Sequence, residues 1–190
     1  MGLREVLEIC LALIGSAEDQ DKFETLYEKY KKLLYHAARK QLRDEEMVEE
    51  AVCTVFLRVA RNMCMIHESV SQETMHLLLI MTRRVAIDIR RRQERKHIPT
   101  IGMEDIENAA YLSVEMGVDE GSSIASALGK LPSQYRDVLL LKFAYGYSNS
   151  EVARLLDLTV ANVEKISSRS KKKLKVILKE EEVWDDEAER

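Results

Sequence analysis

Apolar residues recur along most of the chain at intervals of three and four, the period of a helix that buries one face. Residues 3–14 read as one short helix. Residues 21–43 read as a second, with Phe23, Leu26, Tyr27, Tyr30, Leu33, Leu34, Ala37, Ala38 and Leu42 on one stripe. Asp44 is placed to cap a third helix. Its inward residues are Met47, Val48, Ala51, Val52, Val55, Phe56 and Val59, with Glu45, Glu46, Glu49, Glu50 and Arg58 opposite. Residues 66–71 lack a period and read as a loop. A fourth helix covers about 72–97 and stops before Ile98-Pro99, because proline disfavours helix in the residue preceding it.

The pattern then lapses. Residues 100–126 are acidic and short on aromatics, with Gly117, Gly121, Ser122 and Ser123, and read as a linker with a weakly helical piece at 103–116. At ~3.3 Å per extended residue this linker spans on the order of 80 Å. Periodicity returns over 127–178. Pro132 suits the first turn of a helix, and Tyr135, Val138, Leu139 and Phe143 form its apolar face. Gly146 interrupts it. Ser148-Asn149-Ser150-Glu151 has the spacing of a capping box, and Val152, Ala153, Leu155 and Leu156 follow. After a turn at Leu156-Asp157-Leu158, Thr159 can cap a last helix with Val163, Ile166, Leu174, Ile177 and Leu178 inward. The fold class this predicts is all-α: an N-terminal helical bundle and a C-terminal helix-turn-helix. The domain boundaries are 1–98, a linker at 99–125, 126–179, and an acidic tail at 180–190.

Composition agrees with an all-helical reading, since 190 residues contain only 7 Gly and 2 Pro. The formal net charge of -4 does not point to nucleic acid, but its distribution does. Residues 81–97 hold seven Arg or Lys against Asp88 and Glu94, and 162–179 hold seven against Glu164 alone. Acid-rich segments at 100–127 and 180–190 separate and follow them. Two basic stripes imply two DNA-facing surfaces. Cys10, Cys53 and Cys64 have neither disulfide-framework nor zinc spacing and read as buried small hydrophobes. His36, His67, His76 and His97 are scattered, and there is no glycine-rich phosphate loop. No catalytic group, metal or cofactor is therefore expected, and the chain is not read as an enzyme. No apolar run reaches the ~18 residues of a membrane span, so a cytoplasmic protein without membrane insertion is expected.

A short helix, a tight turn and a basic second helix make a helix-turn-helix, whose second helix enters the major groove with its N-terminal residues at base edges. Those positions are Thr159, Val160, Ala161, Asn162 and Lys165. Asn162 can read adenine, Val160 can meet a thymine methyl group and Thr159 can touch a phosphate or base. Arg169, Lys171, Lys172 and Lys173 mainly neutralise phosphates.

The run from Ala127-Leu128-Gly129-Lys130-Leu131-Pro132 through Asp137-Val138-Leu139, then Tyr145-Gly146-Tyr147-Ser148, Glu151-Val152-Ala153 and Lys171-Lys172-Lys173-Leu174, resembles the C-terminal domain of bacterial sigma factors. Phe23-Glu24-Thr25-Leu26-Tyr27-Glu28-Lys29-Tyr30 looks like the first sigma helix. Glu49-Glu50 with Val55-Phe56-Leu57-Arg58-Val59 is similar to the segment that grips the polymerase clamp helices. Arg83, Ala86-Ile87-Asp88 and the run Arg90, Arg91, Arg92 resemble the helix that binds the −10 element. With two domains in this order, over about 5–100 and 126–178, the chain resembles the extracytoplasmic-function group of the sigma-70 family.

The resemblance implies a protein that binds core RNA polymerase and directs it to promoter DNA. Glu49, Glu50, Phe56 and Arg58 would contact polymerase, and Arg83, Arg84, Arg90, Arg91, Arg92 and Arg95 the −10 element. Thr159, Val160, Ala161, Asn162, Lys165, Arg169, Lys172 and Lys173 would contact the −35 element. An anti-sigma protein is a candidate further partner. Five departures stand out. Leu77 replaces a usual aromatic, Arg84 an asparagine, and Asp157 a glycine, while Glu164 and Ile166 stand where basic residues are common. Without an aromatic in the −10 helix, melting needs another device, for which the loop at 67–74 is a candidate base pocket. An alternative reading follows: a sigma-like helix-turn-helix regulator, or a partner-dependent subunit, that does not itself melt promoters.

Overall fold

In a computed structural model of the chain, residues 3–96 and 123–188 are described. Of the expected linker at 99–125, residues 99–122 with the helical piece at 103–116 lie outside them, and 123–125 are corrected, since they open a helix over Ser123–Gly129. The chain divides into two compact units, 1–103 and 104–190. Every regular element among the described residues is helical.

The first unit contains α1 (Leu3–Leu13), α2 (Ala17–Arg39), α3 (Glu45–Ala60), a 3-10 turn (Met63–Met65) and α4 (Gln72–Lys96). Their boundaries follow from local chemistry. Gln20 donates from its side-chain amide to the carbonyls of Leu11 and Ile14, both at 3.0 Å, satisfying two acceptors at the end of α1. Ser16 accepts from the Asp19 N–H at 3.1 Å, so α2 starts four residues earlier than the apolar stripe suggested. Asp44 accepts from the N–H groups of Glu46 and Met47 and starts α3 as expected. The Ser71 hydroxyl accepts from the Thr74 N–H at 3.1 Å and starts α4.

α2, α3 and α4 pack against one another, with α1 against α3. Phe23, Leu26, Leu34, Val48, Val52, Val55, Phe56, Leu77, Leu78 and Met81 are fully buried between them. Phe56 meets Phe23 edge-on at 6.1 Å and Tyr27 at 4.8 Å, spacings at which aromatic pairs attract beyond their burial. Cys10 and Cys53 are buried as expected, and burial pushes the Cys10 thiol up to about 12. Cys64 departs from that expectation: it points outward from the 3-10 turn, whose Met63 and Met65 are the buried residues.

The second unit contains α5 (Ser123–Gly129), α6 (Ser133–Leu139), a π-turn (Leu140–Ala144), α7 (Asn149–Leu156) and α8 (Val160–Ala188). Ala127, Leu131, Leu139 and Ile177 form a core packed by Leu128, Tyr135, Leu174 and Leu178. Pro132 sits at the N-cap of α6, one residue ahead of the expected first turn. Phe143 is a correction: it is 55% exposed, not part of the apolar face. The Tyr145 N–H bonds the Leu140 carbonyl five residues back, and this widened turn rotates Phe143 off the stripe set by Val138 and Leu139. α8 continues through residues read as an acidic tail and ends at Ala188.

Candidate nucleic-acid interface

The turn before the second helix pair is built by one glycine and one capping box. Gly146 has φ +77, a left-handed value that costs a residue without a Cβ nothing. The Ser148 hydroxyl accepts from the Glu151 N–H at 3.3 Å, and the Glu151 carboxylate accepts from the Ser148 N–H at 2.8 Å. The capping box expected from the sequence is thus closed in both directions. α7 then buries Val152, Ala153, Leu155 and Leu156.

α7 ends on Asp157 at φ 56 and ψ 52, and the Leu158 N–H bonds the Ala153 carbonyl at 2.8 Å. A left-handed residue closed by that long backbone bond is a common helix terminator, usually with glycine in the left-handed position. This is the physical reason a glycine suits position 157. Aspartate is among the few other residues that enter this region readily. The Thr159 hydroxyl then accepts from the Asn162 N–H at 3.2 Å and starts α8 as expected.

α8 has two faces. Val163, Ile166, Ser167, Ser170 and Ile177 are buried. Thr159, Val160, Ala161, Asn162, Lys165, Arg169, Lys172 and Lys173 are all exposed. The structure therefore brings every residue expected at the upstream DNA element to the open side of one helix. Helical spacing adds Ser168, which the sequence reading passed over, and places Glu164, noted there only as an acid where basic residues are common. Glu164 and Ser168 are exposed and share a stripe with Ala161, Lys165 and Lys172, at steps of three and four. The signal for Ser168 was present in that spacing, but a small neutral side chain among lysines drew no notice. Ile166 is core, so its replacement of a basic residue removes no surface charge.

Lys171 is drawn partly aside: its Nζ lies 4.2 Å from the centre of the exposed Phe143 ring. Lys142 lies 5.3 Å from the same ring and donates to the Ser167 hydroxyl at 3.2 Å. These contacts tie the π-turn to α8 through cation–π attraction.

In the first unit, the arginines expected at the downstream element fall on α4 with unequal exposure. Arg83, Arg84 and Arg90 are half-buried, while Arg91 and Arg92 are exposed. Arg95 lies in α4, but its side chain is outside the described residues. Arg90 donates to Gln41 Oε1 at 2.9 Å and lies 3.8 Å from Glu94. Arg92 lies 3.6 Å from Glu50, joining an expected DNA residue to an expected polymerase residue across α3 and α4.

Of the expected polymerase residues, Glu50 is exposed, and Glu49 and Arg58 are half-buried. Phe56 is corrected: it is 0% exposed, sealed among Phe23 and Tyr27, and offers no surface to a partner. Its place four residues after Val52 and three before Val59 makes it a core position. Elsewhere, an open cleft of about 550 Å³ lies between α2 and the loop before α4, lined by Glu18, Asp21, Lys22, Thr25, His67, Glu68, Ser69 and Val70. Tyr30 anchors that loop by donating to the Ser71 carbonyl at 3.2 Å. Among the described residues no group of His, Cys, Asp or Glu is arranged to hold a metal, and no helix is long and apolar enough to cross a membrane.

A capped helix-turn-helix with a cationic open face defines the second unit as a DNA-binding domain. Residues 115–174 match the family described as sigma-70, region 4. The chain is 28% identical over 177 residues to the ECF RNA polymerase sigma factor SigX of Bacillus subtilis (strain 168), covering 88% of this chain and 90% of that protein. Among solved structures, the sigma factor RpoE of Bartonella quintana, in complex with the anti-sigma factor NepR, matches with a TM-score of 0.39. It is 17% identical and the match covers 83% of this chain and 96% of that one. CnrH, in complex with the cytosolic domain of CnrY, matches at 0.38 with 23% identity, covering 93% and 96%. The second unit is thus similar to sigma-70 region 4, and most of the chain is similar to an extracytoplasmic-function sigma factor.

Proposed function

We propose that the chain is an extracytoplasmic-function sigma factor that binds core RNA polymerase, directs it to promoters, and divides the task between its two units. The second unit, with domain limits at 126–179, places α8 in the major groove of the −35 element. Thr159, Val160, Ala161, Asn162 and Lys165 face bases, and Arg169, Lys172 and Lys173 face phosphates. The first unit, with limits at 1–98, uses Glu49, Glu50 and Arg58 on α3 for polymerase. Arg83, Arg84, Arg90, Arg91, Arg92 and Arg95 on α4 serve the −10 element. Residues 99–125 act as the connector. The protein works in the cytoplasm and has no catalysis of its own, since polymerase supplies the chemistry. An anti-sigma protein is a further partner.

The observation that carries this reading is the exposure of all eight expected recognition residues on one helix closed by a capped turn. The test is a pull-down with bacterial core RNA polymerase followed by run-off transcription on fragmented genomic DNA from the source organism. Binding with specific transcripts is expected. Binding to DNA but not to polymerase would instead identify a helix-turn-helix regulator. Leu77 supports a second reading, a partner-dependent subunit: a leucine has no ring to stack on a base, and this one is fully buried. On that reading, polymerase binding without transcripts would result. The cleft beside His67–Val70 then stands as the candidate for holding an unpaired base in place of a stacking aromatic.

A further inference from the structure

Glu164 is an acid in the second turn of α8 and the one acid among its charged residues from 160 to 179. It is exposed, three residues after Ala161, next to Lys165 and four before Ser168. This places it within the N-terminal part of the recognition helix, where side chains meet base edges. An acid there opposes approach to phosphate. Its carboxylate is also oriented from outside its own helix. Asn149, the first residue of α7, donates from Nδ2 to Glu164 Oε1 at 3.3 Å. An ionised carboxylate has room for about four hydrogen bonds, so one donor leaves most of its accepting capacity.

Base chemistry decides what such a group can read. In the major groove, guanine shows two acceptors and thymine an acceptor and a methyl group, so both repel or ignore a carboxylate. Adenine pairs an N6 donor with an N7 acceptor, and a carboxylate facing both would set acceptor against acceptor. Cytosine shows only the N4 amino donor on its own edge. We propose that Glu164, held in place by Asn149, reads a cytosine in the upstream promoter element. It does so as much by rejecting the other bases as by binding this one. The assignment rests on the placement of α8 in the major groove proposed above. Glu164 then trades general affinity, which a lysine would raise, for selectivity at one base pair.

The test uses the full chain assembled with core RNA polymerase and a promoter library randomised over the upstream element, with bound sequences counted. Wild type should enrich a C·G pair at one position. Glu164→Gln and Glu164→Ala should lose preference there by about tenfold, the scale of one good base contact, and keep the preferences at other positions. Asn149→Ala should relax the same position by a smaller factor. An unchanged pattern in Glu164→Ala, or an equal gain in affinity on every sequence, would overturn the assignment and leave Glu164 a charge that only lowers general binding. If Lys172→Ala and Lys165→Ala also left binding unchanged, the docking of α8 itself would fall, and this assignment with it.

Discussion

Single side chains here carry consequences out of proportion to their size where the backbone or the solvent restricts them. Asp157 is the sole non-glycine residue with positive φ among the described residues. Its conformation sets the angle at which α8 leaves α7. Asp157→Gly should fold without loss, while Asp157→Val should cost about 1–2 kcal/mol, because a β-branched residue is crowded in this region. A urea midpoint for each variant checks this. Equal midpoints would show that the turn relaxes around the side chain.

His76 is the other restricted residue. It is 5% exposed, and loss of hydration holds its pKa below the usual 6.5. The unfolded chain therefore takes up a proton from about pH 6.5 downward while the folded chain stays neutral. Stability should fall as pH drops below about 6.5 and level off once the folded value is passed. Denaturation at pH 7.5 and 5.5 should show this loss in wild type and less of it in His76→Gln. An identical pH response in the two proteins would assign the effect to other groups.

At the scale of elements, the two helices that matter most differ in how far their faces are committed. α3 buries its whole apolar side, including Phe56. Phe56→Ala should destabilise the first unit by about 3–5 kcal/mol, the cost of removing a buried ring. Thermal unfolding checks this. A folded, equally stable variant with a specific polymerase defect would restore Phe56 to the contact surface. α8 keeps its open face free of core duties. Lys172→Ala should therefore leave folding intact, weaken DNA binding on all sequences, and reduce the slope of log affinity against log salt by about 1. Anisotropy titrations at several salt concentrations measure that slope, and a sequence-dependent loss would move Lys172 from phosphate to base.

At the scale of the whole molecule, the chain divides into two units, and the proposed function gives each its own task. Replacing Glu49 and Glu50 with Lys should reduce association with core polymerase while DNA binding through α8 is retained. The same substitution removes the acid near Arg92, 3.6 Å from Glu50. That exposed pair is worth at most about 1 kcal/mol, so a large loss of polymerase binding would report the missing contact rather than a disturbed fold. Polymerase pull-down with the variant is the measurement, and unchanged retention would return this face to ordinary solvation.

The sequence by itself determined most of the helices, three of their caps and the exposed face at the start of α8. Each depends on interactions within about a turn: the three-and-four spacing of apolar residues, Asp44 before α3, Ser148 with Glu151, and Thr159 before α8. It also placed Gly146 at a break and marked Asp157 as an odd residue for its turn. What it could not supply were features set by residues distant in the chain or by a change of helical pitch. The spacing already set Phe56 inward on α3, but only the arrival of Phe23 and Tyr27 from α2 seals it from a partner. Phe143 leaves the core because the π-turn adds a residue to one turn of helix. Arg92 meets Glu50, and Asn149 orients Glu164, only because packed helices bring together residues that no periodicity connects. Local hydrogen bonding and side-chain spacing are written along the chain, whereas exposure and pairing across helices are decided when the apolar faces close on one another.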